Sequence, residues 1–161
     1  MHVEVDQSGK IEDTATDTVL AFSDGESFAI LISAKVKRAC LYELRQRGRT
    51  GKSIYWLLFA TGLFLLLRDH VRKFSLVTID VEYTGHSPAI KEHLLNLLRR
   101  ADLPARPDLF RFRRIGKKSP AHGRAFYTHR GDIRPDGVVE AEEILREFKQ
   151  KRIGGCFRRN T

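Results

Sequence analysis

The chain has only two cysteines in 161 residues, Cys40 and Cys156, far apart and outside any metal-ligand spacing. This pattern argues against a disulfide framework and fits free thiols in a reducing compartment, with neither cysteine placed as a nucleophile. The histidines do not supply a zinc site either: His86 and His93, like His122 and His129, are seven apart with no partnering cysteine. Long apolar runs are missing as well. Residues 1–17 are polar and acidic where a signal peptide needs a charged start and an apolar stretch, so a cytoplasmic location is expected. The apolar stretch Ile54–Leu67 falls short of the roughly 18 to 20 residues of a bilayer crossing and reads as a core helix, so no membrane span is expected. No internal repeat is visible.

Acidic residues are scarce outside the first 32 positions. That opening segment holds one lysine and seven acids, a net of −6, whereas the remainder holds 28 basic and 13 acidic residues, a net of +15. A basic body with a compact acidic spot suits a protein that grips phosphates and holds cations. With 42% hydrophobic residues the chain can bury one core, which places a single domain over 1–148 and a basic tail over 149–161.

Residues 2–6 read as a strand. Residues 18–22 and 28–32 read as two more, joined by Ser23-Asp24-Gly25-Glu26, whose Asp-Gly pair signals a hairpin. Residues 34–47 turn helical, with Val36, Cys40, Leu41 and Leu44 on one side and Lys35, Lys37, Arg38 and Arg45 on the other. A strand is expected over 75–82, a helix from Ser87-Pro88, and a strand over 109–115 in which apolar and basic residues alternate. A further helix starts at Ser119-Pro120, and an amphipathic one spans 140–151.

Two strands carry acids that a buried strand should not contain: Val3-Glu4-Val5-Asp6 and Leu76-Val77-Thr78-Ile79-Asp80-Val81-Glu82. Ionised carboxylates are costly in low dielectric unless paired or holding a metal. Asp80 and Glu82, two apart in a strand, would share a face, and Asp6 on a neighbouring strand would bring three carboxylates to one divalent cation. The competing reading leaves Glu4 or Glu82 in solvent.

The element order βββαβαβα, with Asp6 on the first strand and Asp80 and Glu82 on the fourth, resembles the ribonuclease H-like superfamily, which includes ribonucleases H, RuvC-type resolvases, transposases and retroviral integrases. The resemblance covers roughly residues 2–130. It implies an α/β fold with a mixed five-stranded sheet, three antiparallel strands then two parallel, flanked by helices. It also implies acids on the first and fourth strands and a ligand from the helix after the fifth. That helix offers His122, and the set Asp6, Asp80, Glu82 and His122 would then be both metal-ligating and catalytic, holding two Mg²⁺ or Mn²⁺ ions. Two departures stand out. The first helix carries Lys35, Lys37 and Arg38 where a glutamate is usual, with Glu43 two turns too late, and His122 replaces an acid. Asp132 and Asp136 are reserve candidates.

Nucleic-acid contacts are expected from Lys35, Lys37, Arg38, Arg111, Arg113, Arg114, Lys117 and Lys118, the last two at a helix N-terminus that favours phosphate. Arg49-Thr50-Gly51-Lys52-Ser53 is not a P-loop, because Gln46 stands where the motif needs glycine and a helix precedes it. The leading expectation is a metal-dependent nuclease acting on DNA or RNA, with a homodimer implied by family habit. A catalytically inactive nucleic-acid-binding module of the same fold is the alternative, and an interaction protein using residues 149–159 on an acidic partner or membrane surface is a third.

Overall fold

The structure is a computed structural model that describes residues 1–148. The basic tail at 149–161, with Cys156 and the end of the last expected helix, lies outside the described residues. Strands β1 (His2–Ser8), β2 (Thr18–Asp24) and β3 (Glu26–Ile32) form the antiparallel opening. Helices α1 (Ala34–Gln46) and α2 (Ser53–Leu67) follow, then β4 (Leu76–Ile79), α3 (Ser87–Arg100), β5 (Phe110–Phe112), α4 (Pro120–Arg130) and β6 (Gly137–Val138). Residues 141–148 are helical.

The sheet is mixed and has six strands in the order β5-β4-β1-β2-β3-β6, not five. β4 lies parallel to β1, β5 parallel to β4, and β6 parallel to β3. The sixth strand is only two residues long, too short for any hydrophobic period. Asp136 fixes it on the edge: its N–H donates to the Ala29 carbonyl (2.8 Å) and its carboxylate accepts from the Ala29 N–H (2.8 Å).

Strand alternation sorts the side chains onto two faces. Val3 and Val5 of β1 join Leu20, Phe22, Ile30, Ile32, Val77 and Ile79 in the main core under α1, α2 and α3. Val19, Ala21, Ala29 and Leu31 form a smaller cluster on the opposite face, closed by Ala125 of α4. α2 is buried along most of its length, as its unbroken apolar run requires. A Cβ on its Gly62 would press on Leu20 and Ile32, so the glycine lets helix and sheet approach closely. No described helix is long and apolar enough to cross a membrane.

The acid-bearing fourth strand stops at Ile79, three residues earlier than the sequence reading, and β5 covers only 110–112 of the expected 109–115. Both strands end where their residues turn polar and the chain leaves the core.

Candidate metal centre

Because Val3 and Val5 enter the main core, Glu4 and Asp6 project toward α4, and Asp6 is buried. Asp80 follows the last residue of β4, and its N–H continues the ladder to the Val5 carbonyl (2.9 Å). Its Oδ1 accepts the Ile115 N–H (2.9 Å), which ties the segment after β5 to the end of β4. Glu82 lies beyond the strand, so it reaches the centre through the following loop and not by strand alternation. Carboxylate oxygens of Asp6, Asp80 and Glu82 nonetheless lie within 4.8 Å of one another, a grouping that could hold a metal ion.

The electrostatics follow from that crowding. Burial pushes the Glu82 carboxyl up from 4.5 to about 8, aided by the charges of Asp6 and Asp80 and a hydrogen bond shared with Asp80. Burial also raises Asp6, while the Gln7 amide (2.8 Å) and His122 pull the other way. Three close carboxylates repel one another, and a divalent cation with its preference for hard oxygen ligands would remove that repulsion.

α4 supplies the fourth group. Ser119 caps the helix, accepting from the Ala121 N–H (3.2 Å) and donating to Glu4 Oε1 (2.7 Å). The helix packs close because Ala121, Ala125 and Thr128 face the sheet. His122 then lies with Nδ1 2.7 Å from Asp6 Oδ2. Glu4, which the competing reading places in solvent, is half-buried against Ser119. Its partner lies 115 residues away, a distance at which pattern carries no information.

The expected phosphate contacts divide into three groups. Lys117 and Lys118 are exposed in the turn before α4, and Arg113 and Arg114 are exposed after β5. Arg111 is half-buried and donates from Nε to Thr78 Oγ1 (2.9 Å), a hydroxyl that also meets His2 Nε2 (2.8 Å). On α1, Lys35 and Arg38 are exposed, and Arg38 donates to the Thr14 carbonyl (2.7 Å).

Lys37 contradicts its assignment as a phosphate contact. It is buried among the core residues of α1, and its Nζ donates to the Lys10 carbonyl (3.0 Å), the Asp13 carbonyl (2.7 Å) and Thr18 Oγ1 (3.0 Å). Those three acceptors make it a clamp on the β1–β2 connection. Burial lowers its ammonium pKa, and the nearby carboxylates of Asp13, Asp17 and Glu12 oppose that shift.

The reserve acids are engaged elsewhere. Asp136 pairs with Arg124 (2.6 Å) and Asp132 with Arg130 (2.9 Å). Glu43 pairs with Arg47 (3.3 Å). Cys40 is buried, and burial pushes its thiol up to about 12, which removes it as a nucleophile.

Comparison with family models, curated proteins and solved structures finds no match to the chain.

Proposed function

We propose that the chain is a metal-dependent nuclease of the ribonuclease H-like fold, hydrolysing phosphodiester bonds of DNA or RNA. The observation that carries this reading is the meeting of Asp6, Asp80 and Glu82 within 4.8 Å. Their positions support it. Asp6 is on β1, Asp80 follows β4, and His122 is on the helix after β5, the three locations from which the resemblance draws its ligands. The net charge of +9 on the whole chain suits a polyanionic substrate.

Each group has a role in such a reaction. A bound Mg²⁺ or Mn²⁺ would lower the pKa of its water and offset the charge of the phosphate under attack. Asp6, Asp80 and Glu82 would supply oxygen ligands. His122, through Nδ1, orients the Asp6 carboxylate and leaves Nε2 as the ring nitrogen able to exchange a proton. Lys117 and Lys118 would hold neighbouring phosphates from the exposed turn before α4.

One observation favours the second reading, a nucleic-acid-binding module of the same fold without catalysis. Both oxygens of Asp6 are already hydrogen-bonded, one to the Gln7 amide and one to His122. Mn²⁺ titration followed by thermal unfolding separates the two. The nuclease reading expects a rise in Tm with Mn²⁺ and cleavage of labelled DNA or RNA, both abolished in an Asp6→Asn, Asp80→Asn double variant. Cleavage that survives the double change overturns it.

A further inference from the structure

α4 reverses the usual arrangement of an amphipathic helix. The residues it buries are small, Ala121, Ala125 and Thr128. Its two large apolar residues, Phe126 and Tyr127, face outward with 41% and 45% exposure. An aromatic ring typically buries about 150–250 Å² when it packs, so core packing does not account for two adjacent rings in solvent.

The rings are arranged with the acid centre as their neighbour. The Phe126 ring lies nearly parallel to His122, 13° between planes with centroids 6.2 Å apart. Tyr127 stands edge-on to Phe126 at 5.2 Å and 78°. With Lys117 and Gly123 these three rings line an open cavity of about 440 Å³. His122 thus belongs to both places, its Nδ1 on Asp6 and its ring in the cavity wall.

The rim is cationic. Lys117 and Lys118 flank the entrance to α4, and the Arg130 guanidinium, itself paired with Asp132 (2.9 Å), lies over one side of the Phe126 and Tyr127 rings, 5.7 Å and 5.6 Å from their centres. Flat apolar faces inside a positive border match a ligand that is both aromatic and anionic. A nucleotide in a single strand has that chemistry, because its base face is free. In a duplex the base faces are hidden in the stack.

We propose that this cavity is a base-stacking subsite for single-stranded nucleic acid, with one base on the ring of Phe126 beside Tyr127 and the adjoining phosphate on the lysine side. Presentation of that phosphate to the acid centre rests on the nuclease reading, whereas the stacking itself needs no metal. The subsite confers a preference for single strands over duplex.

The test uses the full chain in EDTA, with fluorescence anisotropy of a labelled thymidine homo-oligomer and of a matched duplex. Phe126→Ala and Tyr127→Ala should each weaken single-strand binding roughly tenfold, from the usual contribution of base–aromatic stacking, and leave duplex binding unchanged. Phe126→Trp should retain binding, and Phe126→Leu, which keeps an apolar side chain without a ring, should lose it. Tm should fall by only a few degrees, because both rings lie outside the core clusters. Unchanged single-strand affinity in the double alanine variant, an equal loss on duplex, or no binding of the oligomer by the parent protein each overturns the subsite. Mn²⁺ stabilisation without ring dependence overturns the subsite alone. Ring dependence without Mn²⁺ stabilisation overturns the nuclease reading alone.

Discussion

His122 Nδ1 and Asp6 Oδ2 lie 2.7 Å apart although 116 residues separate them in the chain. The contact joins the helix after the fifth strand to the middle of the sheet, and it depends on the small residues beneath α4. A larger side chain at Ala121 or Ala125 would lift the helix and separate the pair. The acid centre and the outward-facing rings of α4 are therefore linked through one imidazole.

Replacing His122 with alanine should leave the three carboxylates in place and remove the group that orients Asp6. Cleavage in Mn²⁺ is expected to fall by at least about a hundredfold, the usual scale for loss of a positioned proton-transfer group. The Mn²⁺-induced rise in Tm should persist. Full activity in this variant would remove His122 from the reaction.

The raised pKa of Glu82 predicts a pH dependence of stability. Its ordinary value is 4.5 and its folded value is about 8, so between these limits the folded protein holds a proton that the unfolded chain has released. The contribution of Glu82 to stability without metal is then fully present below 4.5 and is lost as pH rises through about 8. Metal binding requires the ionised form and releases that proton, so the Mn²⁺-induced increase in Tm should grow over the same interval. Thermal melts across this range, with and without Mn²⁺, check both trends. Glu82→Gln should reduce both slopes, leaving the part that comes from the raised Asp6 carboxyl, and a parent profile already flat would contradict the crowded-carboxylate account.

Lys37→Met removes a buried ammonium and its three hydrogen bonds; the Lys10 carbonyl keeps the Asp13 N–H (3.1 Å), whereas the buried Thr18 hydroxyl loses its partner. The lost charge-assisted bonds and the stranded hydroxyl together cost about 3 kcal/mol. Urea midpoints would register the change, while Lys35→Ala on the exposed side of the same helix should fall within about 0.5 kcal/mol. Equal effects at the two positions would refute the clamp.

For Lys117 and Lys118 the expected change is in binding and not in stability. Their joint replacement by alanine should weaken unrelated sequences about equally. Each lost phosphate contact should flatten the log-affinity versus log-salt slope by about 0.9 on duplex DNA or about 0.7 on a single strand. An unchanged slope would mark the pair as an ordinary solvated turn and move the phosphate contacts to Lys35 and Arg38.

Composition and local pattern were enough for the helices, for the first five strands apart from their ends, and for the anomaly that marks the centre. The hairpin at Asp24-Gly25, the buried α2 and the Ser119-Pro120 helix start are short-range consequences of turn chemistry, apolar period and capping. Asp6, Asp80 and Glu82 were conspicuous because each interrupts an apolar segment, and that conflict is visible without coordinates. Tertiary structure alone decided the partners. Lys37 looked like one more exposed cation on a basic helix face, but two carbonyls of the β1–β2 connection and the Thr18 hydroxyl at the start of β2 turned it inward. β6 exists because Asp136 docks on Ala29, a contact across 107 residues. Glu4 reaches Ser119, and His122 reaches Asp6, because small residues let α4 lie close to the sheet. Spacing along a chain constrains which residues share a face of one element, but hydrogen bonds between elements depend on how closely those faces approach, and packing sets that distance.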